Sequence, residues 1–162
     1  MRYLTATFAV VTISVWLGGL IALAAMVMAV FMASGLDRET AGRATSAMFI
    51  WFGRGQLIVG ALALIAVFLG YLRHRGGVTM ILFAVLGLGA IGAVAFSGYF
   101  VPKLETLRLA GHAESPEFQT LHKRSEQLME GLTVTILLAA MFLPAFCRAV
   151  LTPKPKSESL PA

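Results

Sequence analysis

The chain alternates between long apolar runs and short charged stretches. Four runs stand out, from Tyr3 to Leu36, Gly55 to Leu72, Gly76 to Pro102 and Gly131 to Cys147. The first carries no Asp, Glu, Lys or Arg over about 34 residues, well beyond the ~20 that a helix needs to cross a bilayer's hydrocarbon. In water these segments would expose more apolar surface than a domain this small can bury. In lipid each closes its own backbone hydrogen bonds as a helix, which is the requirement for spanning. The pattern predicts an all-α fold, an integral membrane four-helix bundle. Its spans fall at about 5–34, 46–72, 78–101 and 128–149, within one domain over 1–150. The proline-bearing stretch 151–162 is expected to be a disordered tail.

Capping signals make several helices longer than the membrane. The second should begin near Asp37 or Thr40, with acidic residues complementing its dipole, and run to about Leu72. In the last, Ser115 can cap, Pro116 suits the first helical position and Glu117 follows. From there to Arg148 is about 33 residues, or ~50 Å at helical rise. The third continues past Tyr99 through Lys103, Glu105 and Arg108 until Gly111, with Pro102 marking a kink or a join. Arg54 and Glu130 each lie ~28 Å from the basic ends at Arg73 and Arg148, near the far membrane boundary. All the helices therefore extend beyond one membrane face, where they form a polar cap.

Composition agrees with lipid as the surrounding medium: 58% of residues are hydrophobic and 13% charged, against ~25% charged in soluble domains. The net charge of +5 is scattered along an apolar chain. That suits anionic headgroups and argues against nucleic acid as a partner. The lone Cys147 excludes an internal disulfide and a cysteine-rich metal site. The apolar stretch after Met1-Arg2 is more than twice the ~7–15 residues of a signal core, so an uncleaved first span is expected. Lys and Arg are nearly balanced between the two sides. The compact Arg73-His74-Arg75 turn and the basic tail place both termini in the cytoplasm. Small residues recur at Ser14, Gly18 and Ala22, and again at Gly89, Ala93 and Ser97. Such stripes allow close helix approach in lipid and raise a homo-oligomer as an expectation.

Candidate chemistry concentrates in the cap. His122, Glu126 and Glu130 recur every fourth residue along one helix stripe. A His/Glu pair at that spacing can ligate a divalent metal, but such sites draw ligands from several helices. The available extra ligands are His112, Glu105, Asp37 and Glu39, and no partner motif repeats. A salt-bridged structural cluster is therefore favoured, and no metal site is assigned. Arg54 interrupts an apolar helix at the depth of Glu130. It either snorkels or pairs with Glu126 or Glu130. No phosphate loop, nucleophile elbow or His-Glu-x-x-His run occurs. His74 lies on the side opposite His112 and His122, which speaks against a haem between two histidines. No catalytic residue, cofactor or particular ligand follows from these residues.

Spaced short motifs add a resemblance. Trp16-Leu17-Gly18-Gly19, then Leu36-Asp37-Arg38 with Ala41-Gly42-Arg43 and Phe49, are followed by Pro102, Leu107-Arg108 and Phe118-x-x-Leu121-His122-x-x-Ser125. In order and spacing, from about Thr12 to Leu138, this resembles the bacterial membrane domain of unknown function grouped with eukaryotic transmembrane protein 205. Met129 departs from the pattern, standing where an amide is expected. The resemblance implies a four-helix protein of the bacterial inner membrane and brings no settled activity. The motif positions it implies are Trp16, Gly18, Gly19, Arg38, Gly42, Pro102, Arg108, His122 and Ser125. The expected role is a non-enzymatic interaction or small-solute-handling protein using a polar cluster of Arg54, Arg108, His122, Glu126 and Glu130. The rival is a metal- or haem-binding membrane oxidoreductase of copper-resistance-like architecture.

Overall fold

Asp37, Gly76 and Ser115 set where three of the four rods begin. The computed structural model describes residues 2–32 and 35–152, and of Arg38 the backbone alone. Helix α1 spans Arg2–Met32, α2 Arg38–Arg73 and α3 Gly77–Ala95; a π-helical turn at Phe96–Phe100 leads into α4, Val101–Leu109, and α5 spans Pro116–Leu151. The third rod is continuous from Gly77 to Leu109, so four helices are long and apolar enough to cross a membrane. Helix α5 runs through Leu151 and is capped at Thr152. The rest of the expected tail lies outside the described residues.

Local chemistry explains the ends. The Asp37 carboxylate accepts the Thr40 amide at 2.8 Å and the Thr40 hydroxyl at 2.8 Å. These bonds satisfy donors that a helix start leaves orphaned. They favour the ionised form and hold the Asp37 carboxyl below its ordinary value of 3.8. A depressed acid stabilises the fold above its unfolded value, and that contribution is lost as pH falls through the folded value. Protection of the Thr40 amide, its exchange rate relative to the intrinsic rate at the same pH, is therefore expected to fall only below pH ~4, and Asp37→Ala should lower it already at neutral pH. Ser115 caps α5 in the same way, accepting the Phe118 amide at 3.2 Å. Gly111 ends the extension of the third rod at φ +77, a left-handed conformation suited to glycine.

Pro102 does join two helical segments, through a device that the sequence does not spell out. A proline ring inside an α-helix collides with the carbonyl four residues earlier, here Gly98. The π turn widens that stretch, and the Val101 amide reaches back five residues to the Phe96 carbonyl. The rod continues without a break.

The rods form a ring in the order α1, α2, α3, α5, closed by contact of α5 with α1. The Arg73 guanidinium donates to the Thr5 hydroxyl, which ties the start of α1 to the end of α2 at the basic face. At mid-depth Trp16, 2% exposed, fills the ring's centre. A Cβ on Gly60 would lie 2.8 Å from Trp16 Cη2, and one on Gly89 would lie 2.8 Å from Ile136 Cδ1. The indole is thus seated because two neighbouring helices present bare backbone. Of the two small-residue stripes, Gly89 and Ala93 turn inward, whereas Ser14, Gly18 and Ala22 are exposed on the outer face of α1.

Candidate functional site

Nearly every charged side chain outside the basic face lies at one end of the bundle, on α2, α4 and α5. The best-held group is Glu105 on α4. Arg108, one turn along, donates to it through Nε at 3.0 Å and Nη2 at 2.6 Å, and the Ser46 hydroxyl donates from α2. Both charged side chains are only 22–23% exposed. The bidentate fork fixes both partners more firmly than a single contact would. The Ser46 bond fastens the third rod to the second at the charged end of the bundle.

On α5, His122 Nε2 and Glu126 Oε1 stand 3.2 Å apart, with side chains 45% and 59% exposed. His122 also stacks on Phe118, its ring centroid 5.8 Å away. So open a pair contributes only ~0.3–0.5 kcal/mol. Among the described residues no group of three His, Cys, Asp or Glu side chains is arranged to hold a metal ion. Ser125 is buried, and its hydroxyl donates to the His122 carbonyl at 2.7 Å.

Other predicted members are not brought in. Arg54 is exposed and lies over the Trp51 ring, 5.4 Å from its centroid, rather than beside Glu126 or Glu130. Glu130 is exposed and forms no ion pair among the described residues. The proposed Arg54 pairing had depth in its favour, but α2 and α5 stand across the ring from each other. Of the glycines, Gly19 meets the Phe52 ring, 3.2 Å from where its Cβ would be, while Gly18 and Gly42 face open space. Arg38 opens α2, and its side chain lies outside the described residues.

Two polar residues in the structure go beyond the predicted cluster. Gln56 is 3% exposed and donates from Nε2 to Ser97 Oγ at 3.2 Å, while Ser97 donates to the Gly53 carbonyl at 3.0 Å. This knot ties α2 to the π turn just beneath the cap. The Gln56 Oε1 and Trp16 Nε1 atoms are buried without partners among the described residues. Ser46 likewise gained its role from an inter-helix contact. An isolated Gln or Ser in an apolar helix carries no signal until the facing helix is known.

A concave surface lies at this level. A groove of about 360 Å³ runs between the third rod and the start of α5, lined by Tyr99, Lys103, Glu117, Thr120, Leu121 and Arg124 together with Pro116. Lys103 Nζ sits 3.2 Å from Glu117 Oε1 and 5.9 Å from the Tyr99 ring centroid.

Rods of this length and polarity, capped by charges at one end, define a multi-pass, four-span membrane protein. The family described as Domain of unknown function (DUF4149) matches residues 11–113, from α1 through α4, and the chain belongs to it. The match stops before α5, so the Phe118-to-Ser125 motif lies beyond it. No curated protein and no solved structure matches the chain.

Proposed function

We propose that the protein is a non-enzymatic binding protein of the bacterial inner membrane, with both termini cytoplasmic, that handles a partner or small solute through its polar cap. Kinship with transmembrane protein 205 belongs to the same reading. The observation that carries it is the state of the cap's charges. Glu105 with Arg108, Lys103 with Glu117, His122 with Glu126 and Arg43 with Glu39 are all paired. Paired charges beside open ones such as Arg124 and Glu130 suit recognition, whereas acid–base chemistry needs groups poised by burial and unlike neighbours.

The test is direct. Protein purified in mild detergent should show no haem absorbance band and less than stoichiometric copper, zinc and iron by elemental analysis. His122→Ala should leave both measurements unchanged and lower stability by no more than ~0.5 kcal/mol. A haem band, or one equivalent of metal lost in His122→Ala, would replace this reading with the oxidoreductase one.

A further inference from the structure

We propose that the groove between the third rod and the start of α5 seats the phosphate of an anionic phospholipid headgroup, in the leaflet opposite the termini. The proposal rests on reading the cap as the working surface and names one ligand class for it.

Depth is the first argument. Tyr99 lies 24 residues beyond Arg75, and Arg124 lies 24 residues before Arg148. At helical rise both stand ~36 Å from the basic face. A hydrocarbon core of ~30 Å within a bilayer of ~40–45 Å puts that level among the far headgroups. Two helices counted independently thus bring the groove to the layer where lipid phosphates lie. Tyr99, 53% exposed, is the residue type that settles there, with its ring against apolar chains and its hydroxyl in the polar zone.

Charge is the second argument. Lys103 is neutralised by Glu117 at 3.2 Å. Arg124 is exposed and forms no ion pair or hydrogen bond among the described residues. The lining therefore carries one uncompensated positive charge, matched to a phosphodiester monoanion. A guanidinium presents the forked donors that such a group accepts. Every lining residue except Leu121 is exposed, so the groove opens outward to lipid rather than into the core. Below it both helices expose apolar side chains, among them Ile91, Val94, Val134 and Leu138, suited to acyl chains. Basic pockets between membrane helices bind headgroups by this combination of charge and apolar wall. The Glu117 carboxylate opposes an anion, and the Lys103 pair must loosen to admit one. This gives the test its signature.

Full-length protein in detergent, titrated with palmitoyl-oleoyl phosphatidylglycerol and read by native mass spectrometry, should retain one lipid. Retention should exceed that of the phosphatidylcholine analogue by about fivefold. Arg124→Gln should weaken it about fivefold. Glu117→Gln should strengthen it, and Arg54→Gln, an exposed cation outside the groove, should leave it unchanged. Equal losses in Arg54→Gln and Arg124→Gln, or equal retention of the two lipids, would overturn the site in favour of unspecific surface charge. Displacement by millimolar inorganic phosphate alone would overturn the lipid assignment. These readouts are separate from metal content, so either proposal can fail while the other stands.

Discussion

Replacing Trp16 with alanine is expected to destabilise the bundle by about 3 kcal/mol, at ~24 cal/mol per Å³ of residual cavity. Once helices are inserted, lipid is as apolar as the protein interior, so water exclusion contributes little to their association. What Trp16 supplies is occupied volume. Its ring sits over Gly60 and approaches Gly89, and an alanine would leave α1, α2 and α3 facing a void. Trp16→Phe should cost far less, because it keeps most of the ring and removes a buried N–H that has no partner among the described residues. Gly60→Ala should cost ~1–3 kcal/mol by overpacking, since its Cβ would come within 2.8 Å of the indole. Combined with Trp16→Phe it should cost less than the two changes summed, because the residues share one contact. Unfolding in mixed micelles, followed by far-UV circular dichroism, measures all four variants. Strict additivity would show that the indole and Gly60 backbone are not the seat described.

The helix ends were open to reading because each depends on residues within one turn. Asp37, Ser115 and Gly111 act on their own helix and do what their side chains permit anywhere. The spans were equally plain, since length and apolarity decide them one segment at a time. Rotation was not readable. Helix α1 is apolar on every side, so nothing in its sequence separates Ile13 and Trp16, which are buried, from Val11 and Val15, which are exposed. For the same reason the stripe at Ser14, Gly18 and Ala22 could not be assigned inward or outward. Counting residues fixed the depth of Arg54 and Glu130 but not their bearing around the ring. The π turn escaped as well, because Pro102 signals only that the α-helical register must yield somewhere nearby.

The cap was predicted as a place, and its wiring came from the fold. His122 with Glu126 was legible because the pair lies on one helix at helical spacing. Glu105 was visible as part of the third rod's polar extension and as a spare ligand but not as a link between rods, since its Ser46 partner is contributed by α2 across a rod interface. Its neighbour Arg108, three residues along, was the nearer clue. Pairs within a helix are thus legible, and pairs between helices wait on the ring order.

Arg108→Met is expected to cost about 1.5–3 kcal/mol, the range for losing hydrogen bonds to a charged group. It leaves the half-buried Glu105 carboxylate with the Ser46 hydroxyl as its remaining partner. Glu105→Met should cost a similar amount for the converse reason, taking from the Arg108 guanidinium both of its hydrogen-bond acceptors. The double substitution should cost clearly less than the sum, because an ion pair replaced by apolar side chains strands neither charge. Glu105→Gln is the milder change: it keeps an acceptor for Ser46 while giving up the bidentate fork. Denaturant titration of the four variants in one micelle composition yields the coupling energy, and a double mutant as damaged as the two singles combined would show that the pair is not a unit. Raised salt discriminates further: a shielded fork should keep most of its coupling, whereas the open His122–Glu126 pair should lose what little it has. A salt-insensitive coupling would then locate the fastening of the third rod to α2 in the Ser46–Glu105–Arg108 contact rather than in the exposed charges around it.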